Sequence, residues 1–257
     1  MAAREDADII AGIEELLREE GITLRTGHKA LRFAQDASGQ IVAQLEGPQG
    51  ALTITGSHLL VAVGRVPNTE QLNLGAVGVK TDARGYIPTN ERLETNVPGI
   101  WALGDINKRG AFTHTSYHDH EIVLANLRGG QRSAEARTMA YAMYTDPPLG
   151  RVGMSEREAR QSGRRVLRTV LPMSRVSRAK EDGETRGLIK VLVDAESEQF
   201  LGAAFFGQNG DEIVQVISNY MATGASYRRM QEALPIHPTI TEFMPTILGM
   251  LEPLEES

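Results

Sequence analysis

The spacing of apolar residues predicts a helix at the start of the chain. Over residues 6–20 the apolar positions follow the period of one helix face, and Gly21 provides a left-handed end. These positions are Ile9, Ile10, Ile13, Leu16 and Leu17. Residues 22–24 follow as a short predicted strand. A helix that leads into a strand is typical of the second half of a βαβ unit, so we expect the first strand and its glycine turn to be missing here.

Residues 30–63 show the pattern of strands. Three segments, 30–33, 41–45 and 51–54, are separated by clusters of turn-forming residues and predict an antiparallel meander. Residues 59–63 form the unbroken apolar run Leu-Leu-Val-Ala-Val. Such a run predicts a buried strand in the middle of a covered sheet.

The pattern changes in the second half of the chain. Residues 112–127 predict a helix with Ile122, Val123, Leu124 and Leu127 toward the core, and the Gly-Gly-Gln sequence at 129–131 predicts a domain boundary. Beyond it, strands and helices of an α+β type are expected. The predicted strands are 141–144, 165–171, 188–193 and 200–206, and the predicted helices are 155–162, 211–224 and a last one after His237.

Composition narrows the classes of function. The 257-residue chain is long enough for two modest domains, and its net charge of −6 contains no block of like charge, which argues against a nucleic-acid-binding surface. No apolar run approaches the roughly eighteen residues that span a bilayer, and the acidic amphipathic start is not a signal peptide. We therefore expect a soluble cytoplasmic protein that binds neither nucleic acid nor membrane. The absence of cysteine excludes a disulfide, a thiolate metal site and a thiol nucleophile within this chain.

Two predicted strand ends carry candidate ligand-binding residues. The apolar run at 59–63 stops at Gly64, and a short strand ending near residue 103 is followed by Gly104 and Asp105. Ligands of open α/β sheets bind at the carboxyl ends of the strands, where Gly104 would allow close approach and the Asp105 carboxylate would accept hydrogen bonds from sugar-type hydroxyls. The alternative is an ordinary β-turn, for which Gly-Asp is common.

The sequence from Leu234 to Glu242 contains a candidate acid/base. Prolines on both sides of His237 exclude it from a helix interior, and Thr239 with Glu242 has the spacing of a capping box for the last helix. The Glu242 carboxylate could also turn back and fix the tautomer of the His237 ring, which would make His237 a candidate general acid/base. The alternative is purely structural: Glu242 caps the helix and His237 fills a turn.

Histidines of the predicted 112–127 helix raise the question of a metal. His114 and His118 are one helical turn apart, a spacing that zinc sites use. No third ligand follows at a recognisable spacing, so we predict no metal site and favour a polar helix face that lines a ligand or a subunit.

Three motifs in order resemble those of the FAD-dependent pyridine nucleotide-disulfide oxidoreductases, the family of glutathione reductase, dihydrolipoamide dehydrogenase and mercuric reductase. The motifs are Val-Gly-Arg-Val-Pro-Asn at 63–68, the segment 95–105 that ends in Gly-Asp, and His237-Pro238-Thr239 with Glu242. The resemblance covers essentially the whole chain.

The resemblance implies a fold that is α/β plus α+β, with incomplete Rossmann-like nucleotide-binding portions followed by an interface domain. Residues 1–65 would be a partial NAD(P)-binding domain, 66–133 the returning segment of the FAD-binding domain, and 134–257 the domain that forms a homodimer.

The resemblance also implies roles for individual residues. Gly64 would lie beside the nicotinamide nucleotide, Gly104 and Asp105 would bind a flavin hydroxyl, and Thr113 would approach the flavin ring. His237, oriented by Glu242, would act as acid/base in the partner subunit. Electrons would pass from NAD(P)H through FAD to a cysteine pair and on to a disulfide or a related small-molecule acceptor.

Two departures from the family pattern limit these expectations. The amino-terminal glycine turns and the redox cysteines are absent, so the chain resembles the carboxy-terminal part of such an enzyme, and we expect it to bind neither FAD nor NAD(P) well and to be inactive alone. The tail has no cysteine pair, which fits a low-molecular-weight disulfide or a loosely metal-reductase-like acceptor better than strict mercury reduction. A non-catalytic homodimerisation module is the alternative.

Overall fold

A computed structural model describes residues 2–255 of the chain, which form two compact units. One unit contains residues 2–26 and 138–255, and the other is Gly27–Arg137. The elements in chain order are α1 (Ala7–Glu19), β1 (Lys29–Gln35), β2 (Ile41–Gly47), β3 (Gly50–Gly56), α2 (Thr113–Leu127), β4 (Ala140–Met143), β5 (Leu149–Gly153), α3 (Glu156–Gln161), β6 (Val166–Pro172), α4 (Ser177–Glu181), β7 (Leu188–Asp194), β8 (Phe200–Phe206), α5 (Gly210–Thr223), α6 (Tyr227–Glu232), α7 (Met244–Leu248) and β9 (Glu252–Pro253).

The Gly27–Arg137 unit contains the predicted meander. Strands β1, β2 and β3 pair antiparallel in chain order, which confirms the prediction from residues 30–54. The predicted helix at 112–127 is also confirmed as α2. Ile122 and Val123 are buried as expected, whereas Leu124 and Leu127 are exposed, so the core-facing stripe of α2 is narrower than predicted.

Two predicted strands are wrong. Residues 22–24 have no regular structure, and neither do residues 59–63, whose Leu60 is 88% exposed. A buried strand requires neighbouring strands that accept and donate its backbone hydrogen bonds. Among the described residues, no strand pairs with 59–63, and most of the apolar side chains of this run are exposed.

The other unit is built on a six-stranded antiparallel sheet with the order β4-β5-β8-β7-β6-β9. Every residue of β8 is buried, because α1 and α3 pack against some of its side chains and the helices α5, α6 and α7 pack against the others. Ala203 and Phe205 pack on the side of α5, while Ala204 and Phe206 pack on α1. The alternation of side chains along a strand thus puts both faces of β8 into the core. The strands predicted at 188–193 and 200–206 are confirmed as β7 and β8, which pair antiparallel with each other.

A buried ion cluster connects the segment before α1 to this sheet. Lys190 of β7 is 1% exposed, and its Nζ lies 3.2, 2.7 and 2.6 Å from carboxylate oxygens of Asp6, Asp8 and Glu156. Arg151 of β5, also buried, donates from Nε to the Glu5 carboxylate over 3.0 Å. Burial alone would raise the pKa of Asp6, but the charges of Arg151 and Lys190 outweigh it and lower that pKa.

Residues 2–26 therefore belong to the same compact unit as residues 138–255. The division predicted from the sequence, with segments 1–65, 66–133 and 134–257, concerns cofactor-binding regions and stays a prediction.

Candidate active site

His237 and Glu242 form a hydrogen-bonded pair in an exposed segment. The His237 Nδ1 atom lies 2.8 Å from Oε2 of Glu242. The His237 side chain is 74% exposed, while that of Glu242 is only 15% exposed. Because an ionised carboxylate can only accept, Nδ1 carries the proton in this bond, which leaves Nε2 outside the bond on a side chain open to solvent.

Hydrogen bonds of Thr239 hold the turn that carries this pair. The Thr239 hydroxyl accepts a hydrogen bond from the Glu242 backbone N–H at 3.1 Å and donates to the Ile236 carbonyl at 2.7 Å. Thr239 thus caps the turn as predicted, but the Glu242 carboxylate bonds to the His237 ring. The following residues Met244, Ile247 and Leu248 are buried and anchor the turn to the core.

The chain before His237 exposes apolar side chains. Leu234 and Ile236 are 93% and 75% exposed, and residues 232–238 are all exposed. Exposed apolar residues that flank an oriented polar group are typical of a surface that another molecule covers.

A second candidate site lies at Gly104–Asp105, in the Gly27–Arg137 unit. Gly104 has a φ of +76° and opens a short 3₁₀ turn, Gly104–Asn107, so the predicted strand end is a turn. The Asp105 carboxylate forms an ion pair with Nη1 of Arg65, which also donates to the Ala111 carbonyl at 3.2 Å. The Asp105 side chain remains 42% exposed and can accept further hydrogen bonds.

The other predicted cofactor residues, Gly64 and Thr113, lie close in the chain to Arg65 and to its partner Ala111. Gly64 precedes Arg65, has a φ of +115° and has open space where a side chain would lie. Thr113 is the exposed first residue of α2, two positions after Ala111. Arg65 thus links the segment that contains Gly64 to the turn that contains Asp105.

Asp119, which was not among the residues predicted from the sequence, holds the Gly104 turn. Asp119 is 1% exposed, and its Oδ2 accepts from the Gly104 backbone N–H at 2.9 Å and from Asn107 Nδ2 at 2.8 Å. Its other oxygen pairs with Arg137. A signal was present in the sequence: Asp119 lies three and four residues before the buried Ile122 and Val123, so it occupies a core position of α2.

The histidines of α2 do not form a metal site. His118 lies between two guanidinium groups: its Nδ1 accepts from Arg137 Nε at 3.1 Å, and Arg132 Nη2 is 2.9 Å from its Nε2. Burial and these two positive charges lower the pKa of His118 and favour the neutral ring. Within residues 2–255, no group of three histidine, aspartate or glutamate side chains is close enough to hold a metal ion.

Two family models match nearly the whole chain. Residues 1–119 match the model described as pyridine nucleotide-disulphide oxidoreductase, and residues 139–247 match the dimerisation domain of the same family. The chain belongs to the pyridine nucleotide-disulfide oxidoreductases. This confirms the resemblance and the α/β plus α+β fold inferred from the three motifs.

Members of this oxidoreductase family align over most of the chain. The probable pyridine nucleotide-disulfide oxidoreductase RclA of Escherichia coli is 32% identical over 97% of the chain and 56% of its own length. The dihydrolipoyl dehydrogenase of Thermus scotoductus is 33% identical over 97% of the chain and 53% of its own length. A solved structure of the HOCl-induced flavoprotein disulfide reductase RclA from Escherichia coli superposes with a TM-score of 0.87 at 31% identity, covering 97% of this chain and 57% of that one.

The chain spans about half the length of these oxidoreductase relatives. The dimerisation-domain match, residues 139–247, lies within the predicted segment 134–257. A search of the described residues finds no helix that is long and apolar enough to cross a membrane.

Proposed function

We propose that the chain is the carboxy-terminal part of a cytoplasmic, homodimeric flavoprotein oxidoreductase that transfers electrons from NAD(P)H to a disulfide or a related small-molecule acceptor. The 2.8 Å bond between His237 Nδ1 and Glu242 is the observation that carries the proposal. It gives a surface imidazole a fixed tautomer and a carboxylate partner that is only 15% exposed, which a histidine that only fills a turn does not require.

In this proposal His237 moves a proton to and from a cysteine thiol. Nε2 takes the proton of the thiol, so that the sulfur becomes the thiolate that is the reactive nucleophile. Glu242 accepts the Nδ1 hydrogen bond throughout and stabilises the imidazolium that forms. The thiolate attacks the acceptor disulfide and forms a mixed disulfide, and Nε2 returns the proton to the thiolate that leaves as the old S–S bond breaks.

The thiols must come from another stretch of polypeptide, because this chain has no cysteine. The exposure of the His237 ring and of the apolar residues Leu234 and Ile236 supports a position on a surface that a second subunit covers. The match of residues 139–247 to a dimerisation domain supports the same homodimer.

The residues around Asp105 fit a flavin. The half-exposed Asp105 carboxylate offers an acceptor for polyol hydroxyls. In this proposal Gly104 and Asp105 bind a flavin hydroxyl, Thr113 lies toward the flavin ring and Gly64 lies beside the nicotinamide nucleotide. When bound, FAD would supply the transfer of electrons from NAD(P)H to the cysteine pair.

The proposal divides the chain into a partial NAD(P)-binding segment (1–65), a returning FAD segment (66–133) and an interface domain (134–257). The nucleotide pyrophosphates would depend on glycine turns and helix N-termini outside this sequence. We therefore expect the purified chain to be colourless and not to oxidise NAD(P)H.

The second candidate is a homodimerisation module without catalysis, which the zero cysteine count favours. Co-expression with a polypeptide that supplies the family's glycine turn and cysteine pair distinguishes the two. The flavoenzyme proposal expects a yellow complex that reduces a disulfide with NAD(P)H. A dimer that remains colourless and inactive would favour the module, and a stoichiometric flavin on the chain alone would contradict the incomplete-site argument.

A further inference from the structure

Asp119 and Arg137 form a nearly buried ion pair behind the Gly104 turn. The Asp119 side chain is 2% exposed and that of Arg137 is 9% exposed. A charge pair in such a place is costly to desolvate and is retained where its geometry fixes something else. Here Asp119 Oδ1 accepts a hydrogen bond from the Arg137 guanidinium. Asp119 Oδ2 is thus available to accept from the Gly104 N–H and the Asn107 amide.

The turn is also packed tightly against α2. A side chain at Gly104 would lie 3.0 Å from the Ser116 hydroxyl, and one at Gly110 would lie 2.8 Å from Thr115. Asn107, which also donates to the Ala102 carbonyl at 3.0 Å, closes the turn from within. The backbone at residues 104–107 is therefore held from the α2 side by side-chain hydrogen bonds as well as by contact.

The Asp105 carboxylate has a partner other than Asp119 and Arg137, and its side chain is 42% exposed. Its Oδ2 pairs with Arg65, and among the hydrogen bonds of residues 2–255 none engages its Oδ1. The two supports are separate: Asp119 holds the backbone just before Asp105, and Arg65 holds one oxygen of its side chain.

We propose that Asp119 and Arg137 are positioning residues that aim Asp105 at a hydroxyl of the flavin polyol chain, an inference that rests on the proposed function. Asp119 accepts the hydrogen bond of the Gly104 N–H, and Arg137 holds the Asp119 carboxylate in the orientation of that bond. Arg137 lies between the two family matches, which end at 119 and begin at 139. Sites of this kind depend on supporting residues that hold the contacting group within a fraction of an ångström.

The first test uses the 257-residue chain and measures hydrogen exchange of the Gly104 amide by NMR. Asp119→Asn weakens the acceptor and Arg137→Gln removes its partner, so both should speed exchange at Gly104 by about tenfold or more, the factor that corresponds to losing a charge-assisted hydrogen bond. Asp36→Asn is the matched control, since Asp36 accepts backbone hydrogen bonds in the β1–β2 turn in the same unit. Unchanged exchange in both test variants would overturn the proposal.

The second test measures the FAD dissociation constant of the flavin-loaded protein obtained by co-expression. Asp119→Asn should weaken FAD binding by about tenfold, and the double variant with Asp105→Asn should bind no worse than Asp105→Asn alone, because residues that act through one another are not additive. Arg137→Lys should restore part of the affinity lost in Arg137→Gln. Additive losses, or an unchanged constant in Asp119→Asn, would overturn the positioning role.

The two failures can be told apart. If the wild-type complex takes up no flavin, the proposed function is contradicted. If the wild-type complex binds flavin and Asp119→Asn has the same FAD dissociation constant, only the positioning inference is contradicted. If Asp119→Asn does not fold, Arg137→Gln and Arg137→Lys carry the same comparison, with the amide exchange of Gly104 as the direct readout.

Discussion

The imidazole of His237 donates from Nδ1 to the carboxylate of Glu242 over 2.8 Å, five residues along the chain. The donor side chain is mostly exposed and the acceptor is mostly buried. The pair therefore combines a fixed tautomer with an accessible Nε2, which is the arrangement that a proton-transfer group on an intersubunit surface requires.

Removing the charge of Glu242 tests whether it does more than cap the turn. In the flavin-loaded protein, Glu242→Gln should lower turnover of a disulfide by roughly ten- to a hundredfold, since a hydrogen bond to a charged group contributes about 1.5–3 kcal/mol. The readout is steady-state NAD(P)H oxidation. The matched control is Glu232→Gln, an exposed carboxylate in the same stretch of chain, which should leave turnover unchanged. Equal rates in wild type and Glu242→Gln would restrict Glu242 to a structural role.

The buried ion cluster around Lys190 gives a prediction about the free energy of unfolding. Lys190→Met leaves the carboxylates of Asp6, Asp8 and Glu156 without their shared cation and should cost about 3–5 kcal/mol of unfolding free energy, the typical cost of breaking a buried pair from one side. Urea unfolding followed by circular dichroism measures it. Arg178→Met, which removes a partly exposed arginine that pairs within one helical turn of α4, should cost less than about 1 kcal/mol. A loss of unfolding free energy for Lys190→Met as small as that of the control would contradict a stabilising role of the buried ion cluster.

Asp194 gives a prediction about pH. Backbone N–H groups of the β7–β8 turn, including that of Ser197, and the Arg164 guanidinium lower the pKa of Asp194 from 3.8 to about 2. The folded state thus binds this proton less readily than the unfolded chain, so the stabilisation is complete above about pH 4 and is lost as the pH falls toward 2.

The measurement is the unfolding free energy of wild type and Asp194→Asn at several pH values. The variant should be less stable by about 1–2 kcal/mol at pH 6, and the difference should shrink as the pH approaches 2. Glu196→Gln, in the same turn, serves as the exposed control. A difference between wild type and Asp194→Asn that stays constant from pH 6 to pH 2.5 would disprove the proposed linkage.

Local sequence patterns predicted the elements whose partners are near in the chain. The strands β7 and β8 and the helices α2 and α3 all follow from spacing alone, and all four are confirmed. The His237–Glu242 bond is also a local contact. Its geometry was therefore accessible from sequence, while its chemical role stays a proposal.

The features that were missed depend on residues far apart in the chain. Arg137 reaches Asp119 across 18 positions, and Lys190 reaches Asp6 across 184. No periodicity predicts such pairs. The prediction of a strand at 59–63 was wrong for a related reason. An apolar run indicates that a segment is suited to burial, but it does not indicate which neighbouring strands would pair with it.

The most direct measurement of the central claim is the turnover of His237→Gln in the flavin-loaded protein with a disulfide acceptor. His120→Gln, which changes an exposed histidine of α2 outside the site, is the control. We expect turnover of His237→Gln to fall by about a hundredfold or more, the usual contribution of a general acid/base, while flavin content and dimerisation stay unchanged. Wild-type turnover in His237→Gln would contradict the account.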